Sequence, residues 1–115
     1  MLSLAEFKKE TNMNTLTLTF TGRHVELTDG LKAHATEKMH HLESHFDKAM
    51  SADIIFSVEK NSQRAEANLH MPHHETIHAS AETEDMYASI DLMVKKLATQ
   101  IQRHKEKELS ERDRG

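Results

Sequence analysis

The sequence predicts one α+β domain, a four-stranded mixed sheet with two helices on one face, in the order β-α-β-β-β-α. Three observations carry this. Residues 83–107, TEDMYASIDLMVKKLATQIQRHKEK, place Met86, Ile90, Met93, Val94, Leu97 and Ile101 at three- and four-residue steps, the period of one helical face. Leu31, Ala35, Met39, Leu42 and Phe46 repeat that spacing earlier in the chain. Between and before these stretches lie short segments with two-residue alternation or β-branched composition.

In chain order, residues 1–12 read as an extension, weakly ordered or forming a short helical turn at LAEFKKE that docks through Leu4 and Phe7. Residues 13–107 read as the domain. Leu16, Leu18 and Phe20 alternate with threonines, which predicts a first strand that Gly22 and Arg23 end. Thr28 is the expected N-cap of the first helix, which should end between Asp47 and Met50. Residues 53–60, DIIFSVEK, suit a central strand, and Asn61, Ser62 and Gln63 signal a turn. Residues 64–71 alternate, with Ala65, Ala67, Leu69 and Met71 on one face. Pro72 cannot sit inside a paired central strand, so it marks the next turn, before a strand at 75–81. The alanines Ala65, Ala67, Ala79 and Ala81 leave room for a helix to approach the sheet.

The last helix takes Thr83 as its expected N-cap, with Glu84 and Asp85 where the helix dipole favours anions. Residues 108–115, ELSERDRG, are expected to fray. A strand, a helix and a strand in one sheet imply a parallel pair with a crossover, and the two short connections that follow imply antiparallel neighbours. The α-β-β-β-α portion is double-stranded-RNA-binding-domain-like in topology. With cations on its helices it suggests reading of folded RNA by shape and backbone charge.

The chain has 115 residues, no cysteine, 30% charged and 37% hydrophobic residues, enough for one core. Disulfides, thiolate metal sites and thiol catalysis are thereby excluded. No apolar run is long enough for a membrane span, and residues 1–12 lack a secretory signal, so a cytoplasmic location is expected. The formal net charge of −4 runs against the basic balance usual in nucleic-acid binders, yet bases concentrate between Lys95 and Lys107. Lys96, Arg103 and Lys107 fall within about 40° of one another on a helix, a row suited to tracking a phosphate backbone. Such a row is more often simply a solvated face.

The ten histidines invite a metal reading. His41 and His45 lie one helical turn apart, and His34, Lys38, His41 and His45 form a flank of the first helix. A closed site needs further converging ligands, and HExxH is missing, so no metal and no cofactor are expected. With three glycines, no phosphate loop and no nucleophile elbow, the chain carries no catalytic constellation and no small-molecule substrate is expected. With 4% aromatics it is not a base-stacking platform either.

Three segments, TFTGRHVELTDGLKAHATEKMHHLESHFD, EANLH and IHASAETEDMYASIDLMVKKLATQIQRHKEK, resemble the ribosome-associated inhibitor (sigma-54 modulation protein) family across residues 13–107. The resemblance implies the same fold. It also implies binding to the small ribosomal subunit and its rRNA in the cleft between head and body, over the mRNA and the A- and P-site tRNA positions. Translation is silenced there in stationary phase or stress. Short members promote ribosome dimers together with ribosome modulation factor, and the short, mixed-charge tail fits that hibernation-promoting form. Carried over singly, the family's RNA-contacting positions fall on Lys32 and Lys38 of the first helix and on Lys96, Arg103, Lys105 and Lys107 of the second. His41 stands where relatives often carry lysine, and Thr99 where they often carry arginine. The alternatives are a protein-interaction regulator of the same fold acting on transcription machinery, and a metal-dependent enzyme or metal buffer.

Overall fold

The computed structural model describes the backbone of residues 6–12, 16–42, 50–71 and 75–113, and the side chains of 16–42, 51–71 and 75–103. Five strands, β1 (Glu6–Asn12), β2 (Leu16–Arg23), β3 (Met50–Glu59), β4 (Ser62–His70) and β5 (Thr76–Thr83), pair in sequence order. Helix α1 (Asp29–His40) connects the parallel pair β2–β3, and α2 (Met86–Asp113) follows β5. The other pairings are antiparallel. The four-stranded mixed sheet, β2 to β5, is thus the one the alternation predicts.

The register explains where the core sits. Leu18, Ala52, Leu69 and Ile77 lie in one cross-strand row, and Phe20, Ile54, Ala67 and Ala79 in the next. Both rows are buried beneath Leu31, Ala35 and Met39 of α1 and Met86, Ile90, Met93, Leu97 and Ile101 of α2. The helices therefore share one face. The rings of Phe20 and Phe56 stack at 6.2 Å under the parallel pair. The small residues of β4 and β5 admit α2 close to the sheet, as their size suggests. A two-residue turn, Lys60-Asn61, joins β3 to β4, with Lys60 at φ 56°, in the left-handed region such hairpins require.

Four expectations are corrected. Residues 6–12 form a strand rather than a weakly ordered or helical segment: β1 pairs with β2 from Glu6–Arg23 to Asn12–Thr17. Local helix propensity loses to the row of backbone donors and acceptors that β2 would otherwise leave open. Helix α1 is shorter than its spacing implies; it ends at His40, with His41 as C-cap, while His45 and Phe46 lie outside the described residues. The α2 N-cap is Asp85 rather than Thr83. Asp85 Oδ1 accepts from the Tyr87 N–H at 3.2 Å, and Thr83 Oγ1 accepts from the Asp85 N–H at 3.0 Å. Thr83 is still in the sheet, so the cap moves to the first acceptor beyond it. Finally, α2 continues through most of 108–115, to Asp113, because nothing before Gly115 breaks a helix. Its 28 residues make a rod about 42 Å long, set in a molecule whose longest extent is 51 Å. The last buried α2 side chain among the described residues is Ile101.

A candidate nucleic-acid interface on the helical layer

Topology fixes the direction of the helices. Strand β5 runs parallel to β3 through two antiparallel pairings, and each helix returns against the strand before it, so α1 and α2 point the same way. They touch along a shared groove where His34 meets Tyr87 and both His34 and Lys38 meet Asp91.

The seven predicted cations do not form a single patch. Lys32 and Lys38 stand about 120° apart around α1. Lys32 lies on the flank away from α2, its side chain 15% exposed and its ammonium 3.6 Å from Asp29. Lys38 faces the groove, 38% exposed, with its ammonium 3.9 Å from Asp91. His41 closes α1 at the same flank, its backbone N–H donating to the Lys38 carbonyl at 3.2 Å. Lys96 lies on the far flank of α2, over β5, and donates to the Ser80 carbonyl at 2.9 Å. It is joined there by Gln100, which donates to the His78 carbonyl at 2.6 Å. The Lys96–Arg103 row thus runs along the edge of β5. Arg103 is exposed, and among the described residues it has no carboxylate partner. Lys105 and Lys107 lie on α2 beyond Ile101, with side chains outside the described set. The layer therefore offers cations in three parallel lanes: beyond α1, between the helices, and along the β5 edge.

Sequence reasoning placed His34 and Lys38 on one flank of α1 but missed their partners Asp91, Tyr87 and Gly30. A carboxylate only accepts, so the 2.8 Å contact makes His34 Nε2 the donor to Asp91 Oδ1. The Tyr87 ring meets the His34 ring edge-on at 5.0 Å. Gly30 makes room for it: a Cβ there would lie 2.8 Å from the Tyr87 hydroxyl. No local signal announces Asp91, whose partner His34 is 57 residues away.

The opposite face of the sheet has a different character. His70 Nε2 lies 3.0 Å from Asp53, and His78 Nδ1 lies 2.8 Å from the Asn68 side-chain oxygen. Arg64 stands 3.8 Å from both Glu66 and Glu82. The cations and carboxylates named here on β3, β4 and β5 neutralise one another, whereas the helical layer carries Lys38, Lys96 and Arg103. At the β3–β4 turn an open cleft of about 630 Å³ is lined by both signs of charge, including Glu59, Lys60, Arg64 and Glu82. No helix of the described residues is long and apolar enough to cross a membrane.

Comparison with known proteins agrees with this architecture. Ribosome hibernation promoting factors of Pseudomonas putida and Escherichia coli are 47% and 43% identical to this chain, each over 90 residues. Those matches cover 78% of the chain and 87% and 94% of the respective relatives. The corresponding factor of Azotobacter vinelandii is 45% identical over 95 residues, 83% of the chain and 87% of that protein. Among solved structures, a ribosomal subunit interface protein from Coxiella burnetii superposes with a TM-score of 0.69 at 30% identity, over 77% of this chain and 97% of that one. The N-terminal domain of Thermus thermophilus Protein Y gives 0.69 at 29% identity, over 82% and 99%. The sequence profile described as "Sigma 54 modulation protein / S30EA ribosomal protein" matches residues 18–108, from within β2 to within α2, and the chain belongs to that family.

Proposed function

We propose that this domain silences ribosomes by occlusion, as a hibernation factor of the short type. It binds the small ribosomal subunit against its rRNA, over the mRNA and the A- and P-site tRNA positions. In stationary phase or stress it favours ribosome dimers, with ribosome modulation factor as an indirect partner acting through those dimers. The role is non-enzymatic and cytoplasmic. The observation that carries the reading is the 43–47% identity to ribosome hibernation promoting factors over 90 residues, 78% of the chain. The three lanes of cations give it a physical basis. Helix-borne ammonium and guanidinium groups neutralise rRNA phosphates, while the sheet supplies bulk in the path of tRNA and mRNA.

Co-sedimentation of the full chain with isolated small subunits tests this. Stoichiometric pelleting in low salt, competed by deacylated tRNA and lost steeply as salt rises, is the expected result. The double variant Lys96→Gln/Arg103→Gln is expected to lose most of its pelleting with an unchanged circular dichroism spectrum. A wild-type protein that remains at the top of the gradient overturns the reading. RNase treatment of a pull-down separates the protein-interaction alternative, whose partners would survive it.

A further inference from the structure

We propose that the groove between α1 and α2 is a phosphate subsite whose resident counter-ion is Asp91, and that RNA backbone phosphate displaces this carboxylate from His34 and Lys38. The inference rests on the RNA-binding reading above and extends it to residues outside the predicted set.

The geometry points to an exchange site. His34 and Lys38 are one helical turn apart, so their donors converge on one spot, and Asp91 Oδ1 occupies it at 2.8 and 3.9 Å. Asp91 is 51% exposed and sits at the groove mouth. An ion pair this wet is weakly held, and its carboxylate can swing into solvent without stranding a buried charge. His34 is held differently. It is 25% exposed and braced edge-on by Tyr87, so its ring keeps its aim when Asp91 leaves. Lys95 lies one turn along α2 from Asp91, exposed on the same side of the helix. A phosphate in the groove thus meets one braced donor, His34, and two flexible cations, Lys38 on α1 and Lys95 on α2.

The arrangement bears on selectivity. Every RNA that enters the groove must evict the carboxylate, and one whose phosphates fit both helices at once recovers more of that cost. Asp91 therefore discriminates against RNA that merely lies across the helices. Removing its charge should help generic RNA more than it helps the small subunit.

The test uses the full chain, with fluorescence anisotropy on a 20-base-pair RNA duplex and co-sedimentation with small subunits at the same salt. Asp91→Asn is expected to tighten duplex binding about five-fold, the effect of one added positive charge at moderate ionic strength, and to narrow the gap between duplex and subunit affinities. Lys38→Gln and Lys95→Glu are expected to weaken duplex binding. Lys95 is exposed, so that variant folds whatever becomes of the groove. In the wild type, the ring signals of His34 should move in a heteronuclear NMR titration with the duplex. Unchanged or weaker duplex binding by Asp91→Asn, absence of duplex binding by the wild type, or His34 signals that stay still at saturation would overturn the proposal. A wild type that binds duplex as described but ignores small subunits overturns the ribosome reading and leaves the groove standing.

Discussion

Arg103 and Lys32 make a matched pair for measuring which lane touches RNA. Both were assigned to the interface by resemblance, yet the structure treats them differently. Arg103 is exposed on α2 without a carboxylate partner among the described residues, whereas Lys32 is mostly covered and sits 3.6 Å from Asp29. A side chain that neutralises one phosphate contributes about 0.7–0.9 to the slope of log K against log salt. Losing it should weaken binding about six-fold at 0.1 M salt, or about 1 kcal/mol. Arg103→Gln should therefore lower the slope by nearly one. Lys32→Gln should move it by no more than about 0.3, because the Lys32 side chain is mostly covered. Filter binding to small subunits at five salt concentrations would give both slopes. Equal losses for the two variants, or an unchanged slope for Arg103→Gln, would refute the assignment of lanes.

Other expectations concern the fold that holds these lanes. Gly22→Ala places a Cβ 2.6 Å from the Val25 carbonyl oxygen, which is backbone and cannot rotate away. It should destabilise by about 1–3 kcal/mol, read as a lower urea midpoint; an unshifted midpoint contradicts the close approach. Ser89 is fully buried and donates to the Gln63 carbonyl at 2.6 Å, tying α2 to the start of β4. Ser89→Ala strands that acceptor and should lose about 1–3 kcal/mol in the same assay. A chain starting at Met13 should still melt cooperatively, since β2 to β5 and the two helices supply a connected core among the described residues; a non-cooperative melt would show that β1 is integral. Truncation after Lys107 should leave the thermal midpoint within a few degrees, because Ile101 is the last α2 side chain described as buried.

What could be read in the sequence follows the range of the interactions involved. The alternation of Leu16, Leu18 and Phe20 and the spacing of Met86, Ile90, Met93, Leu97 and Ile101 encode faces, and every one of these side chains is buried. The alanines of β4 and β5 announced a close helix through size alone. Strand β1 escaped because EFKKETN carries almost no pattern, and its conformation is set by a neighbour rather than by its own side chains. The α2 cap moved from Thr83 to Asp85 because the length of β5 is decided by pairing with β4. In the candidate interface, residue type identified Lys38, Lys96 and Arg103 as cations. It could not show that Lys96 reaches a strand carbonyl or that Asp91 shadows Lys38, since both facts depend on which turn of one helix lies beside which residue elsewhere.

The hold of Lys96 and Gln100 on the carbonyls of Ser80 and His78 has a bearing beyond charge. Those oxygens lie on the outermost strand, where an unoccupied acceptor invites another polypeptide to add itself to the sheet. Two long side chains from a helix take that invitation away. An acidic replacement at Lys96 would repel RNA and at the same moment leave the rim of the sheet sticky, so self-association could pass for lost affinity. Lys96→Gln, which removes the charge but still offers an amide to the strand, separates the two effects, and light scattering of both variants would show which one a binding defect reflects.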